Sequence, residues 1–187
     1  MVRSTRSTKP ERPSDFAPRT AQVEADPGRP CPFCPANEDA TLPALETLDD
    51  GGQWRMRVIP NLYPAFDGDE PFAVHHLGPV HVEADASGIH EVFVFTPRHD
   101  GGVHLASDDD AGEVMLLLKR RLRDHAAKSH VRYTQAIINH GREAGASLAH
   151  PHGQLLGLPF VPGEMIDEER AFSRFEGWGS VIGVVGI

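Results

Sequence analysis

The sequence predicts an α+β fold: a mainly antiparallel sheet with one long helix and a short C-terminal helix. Short runs rich in β-branched and aromatic residues recur between turn-forming clusters, two of them spaced like a hairpin, and a single segment holds helical spacing over several turns. Hairpins mixed with one long helix are the pattern of an α+β domain.

Taken in order, residues 1–30 are rich in Ser, Thr, Pro and charge without a sustained period, and are expected to form an extended amino-terminal arm. Segment 54–60 (WRMRVIP) alternates Trp54, Met56 and Val58 with Arg55 and Arg57, the period of a half-buried strand that ends at Pro60; NLYPAF at 61–66 reads as a loop. Residues 79–84 and 89–96 flank the turn-forming ADASG and are expected to pair as a hairpin. Ser107 suits a helix N-cap, the acidic residues 108–110 suit the positive helix end, and Val114, Met115, Leu117, Leu118, Leu122 and Ala126 follow helical spacing, so a helix is expected over 108–128. Its basic run, Lys119, Arg120, Arg121 and Arg123, reads as a solvated face. Two more strands are expected over 132–139 and 152–158 around a glycine-rich loop, then an acidic helix over 163–175. No internal repeat is evident.

With 187 residues, 40% of them hydrophobic, the chain suits one domain of ordinary size. The balance of 18 Lys plus Arg against 27 Asp plus Glu, a net charge of −9, argues against a nonspecific grip on nucleic acid or an anionic membrane. Small ligands are therefore the expected partners. There is no apolar run long enough to span a bilayer, and the basic start lacks the hydrophobic centre of a secretory signal, so a cytoplasmic location is expected. Two cysteines two residues apart offer no disulfide framework and leave metal binding or redox chemistry.

Chemistry concentrates in two places. In CPFC at 31–34, a tight turn brings both thiolates to one side of the chain, where they can grip one metal ion. A thioredoxin-like pair would need a strand before the motif and a helix starting at it, whereas GRP precedes and PANED follows, which favours metal and requires two further ligands. In HPHGQ, His150, His152 and Gln154 share one face at strand spacing, poor material for a core face, with a solvent-facing strand edge as the plain alternative. The preceding GREAGAS has glycines and a serine whose backbone N–H groups suit a phosphate as well as a turn.

HPHGQ, with the upstream N-x-G-x-x-x-G-x-S, resembles the active-site segment of galactose-1-phosphate uridylyltransferases, a branch of the histidine-triad superfamily; CPFCPANED, RVIPNLYPAF and GIHEVFVFTPRH resemble further family segments in the same order. The resemblance implies a histidine-triad-like nucleotidyltransferase domain over 31–176, with 177–187 as a tail. It makes Cys31, Cys34, His99 and His150 a closed structural zinc site. It makes His152 the nucleophile that takes a nucleotidyl group from a nucleotide sugar, and gives Ser147 and Gln154 the nonbridging phosphate oxygens. Asn139, Asn61 and Arg12 match substrate-binding positions, while His90 and His140 match none and read as ordinary polar residues. Hydrolases of the superfamily resemble this pattern with a third histidine where Gln154 stands; an amide cannot titrate, which favours transfer over hydrolysis.

The implied activity is transfer of UMP between UDP-glucose and galactose 1-phosphate. An ADP-glucose phosphorylase-like enzyme resembles the same motifs, and a zinc-stabilised nucleotide-binding domain without turnover is the alternative of a different class. Against the family pattern, Lys9 stands for the usual arginine in KPERP, the opening strand before it is not expected, and the residues given match the first of the family's two related domains. A homodimer or a separate second-domain chain is therefore an expected partner. Without the later domain's histidines, Glu168 reads as a solvated helix carboxylate.

Overall fold

The computed structural model describes residues 30–101, 106–138 and 148–174. The expected tail, Arg12, Asn139, His140, Ser147, the GREAGAS loop and all but the last residue of the expected arm lie outside them. In chain order, a short 3-10 turn (Glu38–Ala40) leads to β1 (Glu46–Asp50), β2 (Gln53–Pro60), β3 (Val74–Leu77), β4 (His81–Ala84), β5 (Ile89–Val94), α1 (Asp108–Ala126), β6 (Tyr133–Ile138), β7 (His152–Leu158) and α2 (Gly163–Phe172). Five strands form one antiparallel sheet in the order β1-β2-β5-β7-β6, while β3 and β4 pair only with each other. The α+β class read from the sequence is the observed one.

The expected hairpin between 79–84 and 89–96 does not form. β4 folds back on β3, from Val74 opposite Ala84 to Leu77 opposite His81, and β5 instead lies between β2 and β7. The segment read as its turn is bonded elsewhere: Asp67 N–H donates to the Ala86 carbonyl (2.9 Å) and Gly88 N–H to the Gly68 carbonyl (2.9 Å). Gly88 adopts φ 143°, and a Cβ there would strike the Gly157 carbonyl, so glycine lets the chain pass from one sheet to the other. Residues 91–94 of β5 are all buried, as fits a strand covered on both faces.

Helix α1 covers one face of the large sheet. Leu117 enters a buried cluster with Met56, Val58, Phe93, Phe95 and Leu155, and Val114 and Leu118 pack beside it. The Ser107 hydroxyl caps the helix by accepting from Asp110 N–H (3.1 Å). Met115 and Leu122, expected on the inner face, are exposed, because the sheet meets a stripe narrower than the spacing offered. The other face carries a second cluster, Phe33, Ile59, Val92 and Val94, with Cys31, Trp54 and Leu148 packed against it.

β2 departs from simple alternation. Its register against β1 shifts between Leu48 and Asp49, so that Arg55 is an extra residue in a β-bulge. Met56 and Val58 consequently face α1, whereas Trp54 joins the cluster on the opposite face and Arg55 turns to the helix, where it meets Asp110 (2.5 Å) and Glu113 (2.9 Å).

The basic run on α1 is not uniformly solvated either. Arg121 pairs with Glu91 of β5 (2.5 Å) and with Asp124 (2.6 Å), and the buried His125 ring lies 3.2 Å from the same Glu91 carboxylate. Burial would raise the Glu91 carboxyl, but the contacts and charges of His125 and Arg121 outweigh it and hold the group below the usual carboxylate range. A carboxyl depressed in the folded state lends stability that is full above its unfolded value of about 4.3 and is lost as pH falls through the folded value. Glu91→Gln should therefore cost about 3 kcal/mol at pH 7, because it removes the buried charge partner of Arg121 and leaves it the exposed Asp124, and the gap from wild type should narrow below about pH 4. Denaturant melts over this pH range check it, and a gap independent of pH would refute the charge account.

Candidate metal centre and active site

On the face away from α1, Cys31 and Cys34 of the turn before the 3-10 helix, His99 beyond β5 and His150 just ahead of β7 bring four donor atoms within 4.8 Å of one another. The turn is set by Cys34 N–H donating to the Cys31 carbonyl (3.2 Å), and the Asn37 amide donates to that same carbonyl (2.9 Å). Cys34 Sγ lies 3.3 Å from His99 Nδ1 and 3.6 Å from His150 Nδ1. A tetrahedral ion with ordinary bonds to sulfur and imidazole nitrogen separates those atoms by about 3.5 Å, so the donor set fits such an ion.

The protonation of the ligands agrees with that fit. His150, fully buried, has its pKa lowered chiefly by burial, which keeps the ring neutral. Its Nε2–H donates to the Thr96 carbonyl (2.8 Å), leaving the Nδ1 lone pair toward the cysteines. Burial and then the neighbouring Cys31 push the Cys34 thiol up, since two adjacent sulfurs resist ionising together; a cation between them reverses that preference. The four-residue cluster can hold a metal.

Phe33, between the two cysteines, reaches the start of β7: its ring centroid lies 5.2 Å from that of His152 and 6.1 Å from that of His150. The turn is also tied to β2. The Trp54 indole donates to Glu38 (2.6 Å), the guanidinium of buried Arg57 donates to the Thr41 hydroxyl (3.1 Å), and Arg57 lies 5.5 Å from the Trp54 ring centroid. The bulge at Arg55 makes this possible by bringing Trp54 onto the same face as Arg57.

β7 is an inner strand, so HPHGQ is not a solvent-facing edge. His152 is only 7% exposed. Its Nδ1–H donates to the His150 carbonyl (2.8 Å), which places the unprotonated lone pair on Nε2, the arrangement a ring needs to act as a nucleophile or base. Gly153 has no room for a side chain, because a Cβ there would run into the Phe93 ring from the α1 side. The glycine thus brings the strand close to the core while its neighbours face the site.

Gln154 meets His90, which by sequence reads as an ordinary polar residue. His90 of β5 lies two residues along from Val92, which is opposite Gln154. His90 Nε2 is 2.7 Å from Gln154 Oε1, and Ala65 N–H donates to His90 Nδ1 (2.9 Å). Asn61, buried, accepts from Tyr63 N–H (2.9 Å) and sets its amide nitrogen 2.9 Å from His90 Nε2. Of the residues singled out in the sequence, Cys31, Cys34, His99 and His150 converge, and His152, Gln154 and Asn61 line the same face of the sheet. Arg12, Asn139 and Ser147 lie outside the described residues. Glu168 is exposed on α2. The position of His90 within GIHEV on a strand was a usable signal only once the partner of that strand was known.

Fold and site define an α+β domain with a Cys2His2 cluster beside a buried His-x-Gln strand. The model described as galactose-1-phosphate uridyl transferase, N-terminal domain, matches residues 5–162, and the chain belongs to that family. ADP-glucose phosphorylase of Arabidopsis thaliana is 31% identical over 156 residues, spanning 81% of this chain and 44% of that protein. Galactose-1-phosphate uridylyltransferase of Thermotoga maritima is 33% identical over 133 residues, 71% of this chain and 38% of that one. The crystal structure of the Arabidopsis thaliana ADP-glucose phosphorylase with bound ADP-glucose superposes with a TM-score of 0.66 at 26% identity, covering 82% of this chain and 48% of that one. The chain therefore spans less than half the length of these relatives. Among the described residues, no helix is long and apolar enough to cross a membrane.

Proposed function

We propose that the chain carries the nucleophilic half of a nucleotidyltransferase that moves UMP from UDP-glucose to galactose 1-phosphate through His152. The observation that carries this reading is the hydrogen bond from His152 Nδ1 to the His150 carbonyl, which leaves the lone pair on Nε2 of a ring packed against Phe33. His152 Nε2 attacks the α-phosphorus, the bond from that phosphorus to the bridging oxygen breaks, and sugar 1-phosphate leaves. A phosphate oxygen of the acceptor then attacks the same phosphorus, the N–P bond breaks, and Nε2 recovers its lone pair. The His150 carbonyl stabilises the positive ring of the intermediate by accepting from Nδ1–H. Gln154 and Ser147 hold nonbridging oxygens, and Asn139, Asn61 and Arg12 hold the nucleotide and its phosphates. An amide at 154 cannot deprotonate water, so the intermediate waits for a phosphorylated acceptor.

Zinc is the ion assigned to the Cys31, Cys34, His99 and His150 cluster, on its two-sulfur, two-nitrogen donor set gathered within 4.8 Å. When bound, it supplies a cross-link with no position open to substrate. Thiol ligands persist in a reducing compartment, which supports a cytoplasmic location. The greater length of the relatives supports completion of the sugar site by a second-domain chain or a second copy of this one. A second reading, transfer of AMP from ADP-glucose, draws on the 31% identity with the plant phosphorylase over 81% of this chain.

Intact-mass spectrometry after incubation with UDP-glucose and ADP-glucose in parallel tests the transfer. The expected product is a UMP adduct that His152→Gly abolishes without loss of metal; an AMP adduct instead would establish the second reading. A folded, metal-loaded chain that forms neither adduct would sink both and leave a binding domain. Metal analysis should find about one zinc per chain, and Cys31→Ser or a chelator should lower the melting temperature sharply, since structural zinc contributes on the order of 10 kcal/mol to folding. A well-folded, zinc-free preparation whose melting ignores chelators would remove the metal assignment.

A further inference from the structure

We propose that His90 is a positioning residue that fixes the side-chain amide of Gln154, so that its NH2 end, rather than its carbonyl, faces the reacting phosphate. This rests on the reading that His152 is the nucleophile and Gln154 a phosphate contact.

The hydrogen bonds determine the direction. The Ala65 backbone N–H donates to His90 Nδ1 (2.9 Å), so Nδ1 must hold a lone pair and the proton of the neutral ring is on Nε2. Nε2–H then donates to Gln154 Oε1 (2.7 Å), which accepts in this orientation. With its oxygen engaged, Gln154 presents two N–H donors, the polarity a phosphoryl oxygen requires as negative charge gathers on it. The reversed amide would set an NH2 against the Nε2–H and offer its carbonyl to the phosphate, repulsive at both ends.

Asn61 closes the arrangement. Its Oδ1 accepts from Tyr63 N–H (2.9 Å), which sets Nδ2 as the atom 2.9 Å from His90 Nε2; both nitrogens carry hydrogens, so this approach is unfavourable and is outweighed by the two hydrogen bonds of the ring, from Ala65 N–H and to Gln154 Oε1. His90 thereby links the loop after β2, through Ala65 and Asn61, to the reactive strand. Its place on β5, diagonal to Gln154 across the β5–β7 pair, is a spacing that long side chains span readily.

The test compares wild type, His90→Phe, which keeps a ring but no donor, and His90→Gln, which restores one; zinc content and melting confirm that each variant is folded. If His90→Phe does not fold, His90→Ala takes its place. Relaxation of the Gln154 side-chain amide, measured by NMR on the full chain without nucleotide, should show an ordered amide in wild type and His90→Gln and a mobile one in His90→Phe. In single turnover with the nucleotide sugar that labels wild type, His90→Phe should form adduct about 10–100-fold more slowly at an unchanged half-saturating concentration, part of what losing a whole transition-state donor costs. Within a Gln154→Ala background the same substitution should change nothing further. An equally ordered amide in wild type and His90→Phe overturns the proposal, as does an equal adduct rate or an undiminished loss in the Gln154→Ala background. If wild type forms no adduct, the transfer reading fails separately, and the amide relaxation still decides whether His90 holds Gln154.

Discussion

Four donor atoms from three distant stretches of chain meet beside one strand, and the placing of His152 depends on that meeting. Cys34 and His150 are 116 residues apart, and a contact of such separation carries a loop-closure cost that local bonds do not repay. The turn that carries the cysteines has one large apolar anchor, Phe33, and that anchor rests against the rings of His150 and His152. The cluster and His152 are thus one mechanical unit. His150 contributes a ring nitrogen to the cluster and a backbone carbonyl to His152, so fixing the first residue fixes the tautomer of the second.

The opposite face of the sheet supplies the complementary constraint. β7 is held between β5 and β6, and at Gly153 the Phe93 ring occupies the space where a side chain would stand. Under the same helix, Arg121 and His125 surround Glu91, whose strand neighbour His90 points to the site face. A buried ion cluster of this kind is weak evidence for stability by itself. Its consequence here is positional: it ties α1 to the strand that carries His90, while the apolar cluster around Leu117 ties the helix to the strand that carries His152.

Much of this was legible in the chain because it rests on local chemistry. Ser107 and the acidic turn after it mark the start of α1, and CPFC and HPHGQ declare their donors by type and spacing. His99 was identifiable only by resemblance, since nothing local separates it from a surface loop histidine. What escaped depended on pairing between distant strands. The β3–β4 hairpin replaced the expected one because the ADASG segment bonds to residues 67 and 68, a contact without a local signature. Trp54 followed an alternating pattern that the bulge at Arg55 then broke, and Arg121 differed from its basic neighbours only because Glu91 lies beneath it. His90 could not be told from an ordinary strand histidine until β7 was known to lie beside β5.

Held through the His150 carbonyl, the His152 ring carries its proton on Nδ1 and none on Nε2. Long-range proton–nitrogen NMR of the His152 ring in the zinc-loaded chain near neutral pH tests it most directly, with His152→Gly identifying the signals. The account predicts a single tautomer with hydrogen on Nδ1 and an unprotonated Nε2. A ring protonated on Nε2, or one averaging rapidly between both forms, would contradict it.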